Sequence, residues 1–167
     1  FSDIWAATVE NYVMANPTAY PGDYNYLPWG IGEQIDGRDN GTDPGTNDPN
    51  LRALRWMDFP KAEGNPDCFE GGNWTNTNQN CNAANDGCGV HNNSGVLNKW
   101  FYLLVEGSGQ TFDAGRNKPA ADDQMNDNQQ PYEVMGIGFE DAEQITFITE
   151  TLLSSNATYP ETRMVSI

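Results

Sequence analysis

Residues 86–104 read DGCGVHNNSGVLNKWFYLL, and this stretch decides how the rest of the chain is read. Its second half has helical periodicity. Val96, Leu97, Trp100, Phe101 and Leu104 share one side of a 3.6-residue repeat, so the spacing predicts a helix over 94–106. Gly107 is its expected stop, because glycine accepts the backbone conformations that end helices. The first half is built differently. Its glycines let the backbone turn sharply and approach a ligand or neighbour closely. Among them stands His91, the single histidine of the chain. Asp86, five residues earlier, can fold back to hold one imidazole nitrogen and fix the tautomer. The other nitrogen is then left to donate to a developing negative charge. The plainer role for His91 is that of a loop residue at a helix entry.

Working outward, residues 139–153 (FEDAEQITFITETLL) form a second helical pattern with acidic residues in the first turn, where the helix dipole favours them. Ala142, Ile145, Ile148, Thr149 and Leu152 are its expected buried stripe. Residues 1–15 form a third, with Phe1, Trp5, Thr8, Val9, Tyr12 and Val13 on one side and Asn16-Pro17 as the stop. Between these lie long polar tracts. Residues 16–50 are rich in Gly, Pro, Asp and Asn, interrupted by the apolar patch 27–31, which is expected to pack on the body. Residues 51–59 (LRALRWMDF) read as a turn of helix or a strand, residues 60–89 and 108–131 as polar loops, and residues 132–138 (YEVMGIG) as a short extended piece. The fold class is therefore mostly α, with long irregular loops and little β. Loops this long need fastening by a metal or a disulfide.

The chain has 167 residues, with 24 Asp+Glu against 8 Lys+Arg and a net charge of -16. That length is one domain's worth, read here as a single partial domain over 1–167. The charge argues against nucleic acid or an anionic membrane as partner, since phosphate binding needs clustered cations. No apolar run reaches the roughly 18 residues of a membrane span. One histidine excludes a complete HExxH zinc site within this chain. Five Trp, seven Tyr and seven Phe supply enough aromatic mass for a core. The three cysteines, Cys68, Cys81 and Cys88, lack CxxC spacing. A disulfide between Cys81 and Cys88 would staple a short Asn/Gly-rich loop, while Cys68 would pair outside the chain or compete for either. An extracytoplasmic, secreted setting follows from such a disulfide and from the acidic excess. Phe1 opens directly in a helical pattern and the chain stops at an apolar stretch, which reads as an internal fragment of a longer protein.

Residues 86–104 resemble the segment of thermolysin-like zinc metallopeptidases (the M4 family) with the pattern D-x-x-G-V-H-x-N-S-G-[IV]-x-N-[KRY], matched at His91, Asn93, Ser94, Gly95 and Asn98. Other stretches follow in the family's order. Ser2-Asp3-Ile4 with Glu10 is similar to the helix that continues from the third zinc ligand. Residues 29–35 (WGIGEQI) resemble W-x-I-G-E-D-I, residues 54–60 (LRWMDFP) resemble L-R-S-M-x-x-P, and residues 135–138 (MGIG) with the helix after them resemble the later V-G-I-G pattern.

The resemblance implies the helical C-terminal domain of such an enzyme, and it implies roles. His91 stabilises the tetrahedral intermediate and Asp86 orients it. Arg55 holds the substrate carbonyl, a task suited to its rigid fork of donors. Leu54, Ile31 and Ile35 line the pocket for a bulky apolar side chain after the scissile bond. Asp3 bonds a zinc-ligating histidine that lies upstream. Glu10 and Glu33 match two calcium ligands, although residues 18–28 form an insertion where further ligands belong and Gly30 replaces a ligand-type acid. One calcium is expected rather than a pair. Residues 36–43 (DGRDNGTD) fail the EF-hand pattern because Arg38 stands at its third position. The zinc ligands and the general base lie outside this chain, with the ligand glutamate two residues before Phe1 when counted from Ser2. The expected partners are a peptide or protein substrate and the missing N-terminal half of the catalytic unit. Alone, the chain is expected to be inactive.

Two other readings compete. One is a non-catalytic, secreted, calcium-stabilised binding module using exposed aromatics such as Trp29, Trp56 and Trp74. The other is a hydrolase built on a carboxylate pair, for which no specific pair stands out.

Overall fold

The computed structural model describes residues 1–21, 29–32, 53–109 and 124–166. Its helical elements are α1 (Ser2–Ala15), α2 (Asp86–Gly89, a single left-handed turn), α3 (Gly95–Glu106), α4 (Phe139–Leu152) and α5 (Tyr159–Val165). Two-residue strands β1 (Gly30–Ile31) and β2 (Arg55–Trp56) pair antiparallel, with Gly30 opposite Trp56 and Ile31 opposite Arg55. The mostly helical class with little strand is what the sequence predicts. The extended piece expected at 132–138 forms one antiparallel bridge, between Met135 and Gly107. No helix among the described residues is long and apolar enough to cross a membrane.

Helix α3 is the centre of the domain. It packs against α1, α4 and the β2 region. It is consequently buried on most sides. Asn98, Lys99, Phe101, Tyr102, Leu103 and Val105 are buried, while Val96, Leu97, Trp100 and Leu104 are half-buried. The single apolar face predicted for it is too narrow, because periodicity reports one partner and α3 has several. Buried Lys99 is accommodated by donating to the Asp58 carbonyl at 2.7 Å and lying over the Tyr102 and Tyr132 rings.

The outer helices bear out only part of the faces their sequences suggest, Ala142 and Thr149 of α4 being buried as expected. Helix α1 buries Ile4 and Ala7 and leaves Val9 and Tyr12 exposed. Its Trp5 Nε1 donates to Glu150 Oε2 at 2.7 Å, which ties α1 to α4. Helix α4 buries Ala142, Thr146 and Thr149, whereas Ile148 and Leu152 are 55% and 66% exposed. Small residues let α4 approach α3 closely, and the Thr146 hydroxyl donates to the Ala142 carbonyl at 2.8 Å, so its burial leaves no polar group unpaired. The end of α1 is as expected: Asn16 caps it by donating from Nδ2 to the Tyr12 carbonyl.

Residues 104–108 and 134–138 lock together. The amides of Ile137 and Gly138 donate to the carbonyls of Leu104 and Val105, satisfying acceptors that the end of α3 leaves open. A Cβ on Gly136 would stand 2.6 Å from the Val105 carbonyl oxygen, so this approach requires glycine. Trp29 fills the space beside it, stacked on Phe139 at 5.2 Å and edge-on to Tyr102 at 5.1 Å. With Trp29 and Trp56 buried and Trp74 packed against Phe69 and Tyr159, the aromatics assigned to a binding-module surface are not displayed as one. Helix α5 is not predicted from periodicity. Its signal is Thr158-Tyr159-Pro160-Glu161: Glu161 Oε2 accepts from the Thr158 amide at 2.7 Å and from its hydroxyl at 2.9 Å.

Candidate active site

The loop ahead of α3 is rigid by construction. Asn82 and Asn85 bond reciprocally: Asn82 Oδ1 accepts from the Ala84 amide, and the Asn82 amide donates to Asn85 Oδ1. The chain then takes four consecutive positive-φ residues, Asp86 (54°), Gly87 (58°), Cys88 (69°) and Gly89 (80°). For Asp86 and Cys88 this left-handed conformation costs roughly 1–2 kcal/mol each. Several contacts offset that cost. Cys81 and Cys88 form a disulfide, the Cys88 amide donates to Asn85 Oδ1 at 3.1 Å, and the Gly87 amide donates to the Asn82 carbonyl at 2.8 Å. Of the pairings open in the sequence the structure thus takes Cys81 with Cys88, and Cys68 is a free thiol.

The left-handed turn swings the Asp86 carboxylate back over the chain that follows. Oδ2 accepts from the amides of His91 at 2.8 Å and Asn92 at 2.9 Å, and Oδ1 lies 2.5 Å from His91 Nδ1. The Asn92 amide and the His91 side chain, in that order, lower the Asp86 pKa to about 2. An ionised carboxylate only accepts, so Nδ1 must carry the proton. The neutral ring is therefore the Nδ1–H tautomer, and Nε2 is the nitrogen left for a ligand. The His91 side chain is 73% exposed.

Each neighbour in the stretch has a structural task. Asn93 is buried and mimics a peptide: its Oδ1 accepts from the Thr75 amide at 3.0 Å and its Nδ2 donates to the Thr75 carbonyl at 2.9 Å. Ser94 Oγ donates to the His91 carbonyl at 2.6 Å. A Cβ on Gly95 would lie 2.4 Å from the Pro66 carbonyl oxygen. Tyr159 on α5 donates to the Asn93 carbonyl at 2.6 Å, a brace that no local pattern announces.

Arg55 comes from β2 on the other side. Its Nη1 lies 3.2 Å from Asp3 Oδ1 and 3.3 Å from Oδ2, and Asn98 Nδ2 donates to Asp3 Oδ2 at 2.9 Å. Asp3 on α1 thus joins β2 to α3.

A groove of about 700 Å³ collects these parts. Leu54, Arg55, Asp86 and His91 line it together with Asn73, Thr75, Asn85 and Asn92. Four of the residues expected at the site therefore meet in one place. Ile31 does not line it. Ile31 is buried in the cluster formed with Ile4, Met57 and Phe101. Ile35 and Glu33 lie outside the described residues. Glu10 sits half-buried on α1 and does not line the groove. The groove wall from residues 73 to 85 was not foreseen, because that tract has no periodicity from which a surface can be read.

Among the described residues one cluster brings three metal-type donors within 4.8 Å, namely Asp67, Cys68 and Asp127. One cation offsets part of its charge. Lys61 Nζ lies 3.2 Å from Asp67 Oδ2, and each aspartate accepts from the other's amide. Burial and then Asp67 raise the Asp127 pKa.

The whole chain, residues 1–167, matches the family model described as the thermolysin metallopeptidase, alpha-helical domain. It is 36% identical over 109 residues to the zinc metalloproteinase of Renibacterium salmoninarum, covering 65% of this chain and 16% of that protein. It is 33% identical over 167 residues to the transglutaminase-activating metalloprotease of Streptomyces mobaraensis, covering 97% of this chain and 17% of that one. A bacillolysin of Bacillus caldolyticus is 34% identical over 106 residues, 64% of this chain and 14% of the relative. The chain thus spans about a sixth of the length of these relatives.

Proposed function

The chain belongs to the thermolysin metallopeptidase family, and we propose that it forms one wall of the cleft of a secreted zinc endopeptidase. The observation that carries this reading is the Asp86–His91 couple in the same groove as Arg55. When bound by the remainder of the catalytic unit, zinc would supply Lewis-acid polarisation and the activation of water at neutral pH. The residues of this chain then have separate tasks. His91, protonated on both nitrogens, keeps Nδ1–H on Asp86 and donates from Nε2–H to the oxygen that becomes negative as the carbonyl turns tetrahedral. Asp86 keeps the ring in one orientation throughout. Arg55, held by Asp3, binds a substrate carbonyl after the scissile bond. Leu54 offers apolar surface to the adjoining side chain, with Ile31 behind it as core and Ile35 as the third member of that pocket.

Asp3 has carboxylate lone pairs beyond those used by Arg55 and Asn98, and we assign one to an imidazole that ligates zinc from upstream. Glu10 and Glu33 are proposed as oxygen ligands for calcium. No catalytic step depends on them. On this reading the isolated chain has no activity, because the zinc ligands and the general base are supplied by the N-terminal half.

The test is His91→Ala in the complete protein. Loss of one such donor lowers kcat about 10²- to 10³-fold, with zinc content and melting temperature unchanged. An unchanged kcat would sink the assignment. A coding sequence without HExxH upstream of residue 1 would sink the zinc peptidase reading as a whole.

A further inference from the structure

We propose that the Cys81–Cys88 disulfide is a positioning device for His91, and that its reduction by a dithiol turns the enzyme down without unfolding it. The inference rests on the Asp86–His91 reading above. The bridge closes a sequence separation of 7, and Asp86 lies inside the closed loop. A loop this short contributes less global chain entropy than a long one, so more of its effect is local. Locally it matters, because Cys88 sits at φ 69° and Asp86 at φ 54°, conformations that non-glycine residues keep only when their surroundings over-determine them. All three bonds from Asp86 to the His91 amide, the Asn92 amide and the imidazole depend on that turn. The peptide around residues 93–95 is held independently by Asn93 on Thr75, by Tyr159 on the Asn93 carbonyl and by the close approach of Gly95 to Pro66. Loss of the turn would therefore release the carboxylate and the ring while leaving α3 in place.

The chemistry is accessible. Cys81 is exposed, whereas Cys88 is buried. A thiolate of the dithiol bonds to Cys81 Sγ, the S–S bond breaks, and Cys88 leaves as a thiolate that takes a proton. The second thiol of the reductant then displaces Cys81 as its thiol and closes the reductant's own disulfide. Two electrons pass from the dithiol to the protein, and the atoms balance.

The test uses the complete enzyme and four variants: Cys81→Ser/Cys88→Ser, Cys81→Ser/Cys88→Gly, Asp86→Asn, and the serine pair combined with Asp86→Asn. The serine pair is expected to lose about 10- to 100-fold in kcat, with KM nearly unchanged and the enzyme still folded at the assay temperature. The glycine pair should recover most of that loss, since glycine accepts φ 69° without strain. Adding the serine pair to Asp86→Asn should cost nothing further, because both act through one carboxylate. Wild-type kcat in the serine pair, no rescue by glycine, or losses that multiply would each overturn the proposal. If the serine pair fails to fold, a trialkylphosphine applied to the folded wild type in zinc-containing buffer makes the same comparison. Reversible loss of kcat in the wild type and none in the glycine pair supports the device, and equal responses overturn it. Asp86→Asn at wild-type kcat would instead refute the Asp86–His91 reading itself.

Discussion

Gly89→Ala is the sharpest probe of how the site is held. Gly89 has φ 80°, and a Cβ there would lie 2.5 Å from Thr75 Cβ and 2.8 Å from Asn93 Nδ2. Alanine therefore carries two costs. The left-handed backbone costs roughly 1–2 kcal/mol, and the clash, whose partners are mutually bonded, adds roughly 1–3 kcal/mol of overpacking. The sum is about 2–5 kcal/mol of stability. Gly64→Ala separates the two. Gly64 has φ 72° with nothing within 4 Å of its virtual Cβ, so only the backbone cost of about 1–2 kcal/mol applies. Urea unfolding of both variants in the complete protein measures the difference. Because the displaced Thr75–Asn93 pair anchors the backbone beside His91, kcat of Gly89→Ala should also fall, by about 10-fold or more. Equal stability losses in the two variants would refute the claim that residue 89 is closed by its neighbours. A stable Gly89→Ala enzyme with wild-type kcat would refute the claim that this packing positions the histidine.

Other outcomes follow from the same geometry. Asp86 has its pKa lowered to about 2 from 3.8, so its stabilising contribution is present above the unfolded value and is lost as pH falls through about 2; the acid-unfolding curve of Asp86→Asn should lack that part between pH 4 and 2, and superimposable curves would contradict the three-donor arrangement. Arg55→Lys keeps the charge but loses the fork, so kcat/KM should fall about 10- to 100-fold, mostly in KM if the contact is made equally in ground and transition states. Lys61→Met leaves the buried Asp67 carboxylate, whose side chain is 1% exposed, without its cation; a loss of about 3 kcal/mol by urea unfolding is expected, and a neutral effect would mean that Asp67 is neutralised in another way.

How much of this was legible in the sequence depends on range. The Asp86–His91 couple joins residues five apart, and the glycines between them mark the turn, so the pair is visible from the chain alone. The position of α3 and its end at Gly107 are legible for the same reason. Arg55 and Asp3 are 52 residues apart and Asn98 and Asp3 are 95 apart. No local pattern connects them, and only the family resemblance pointed to Arg55 and Asp3. The buried faces of α1 and α4 are legible only in part: Ala142 and Thr149 are buried as expected, but Ile148 and Leu152 are exposed and Thr146 is buried instead, and α1 turns Ile4 and Ala7 inward rather than Val9 and Tyr12.

The sequence by itself determined the helical class, the helices α1, α3 and α4, and the chemistry available at residues 86–95, because these depend on propensity, glycine placement and contacts within a few residues. Only the tertiary structure decided which cysteines pair, which helix faces are buried and which residues share the groove. Those outcomes depend on which surfaces meet after the long polar tracts have brought distant segments together, and a surface that is buried by several partners at once leaves no single period in the chain.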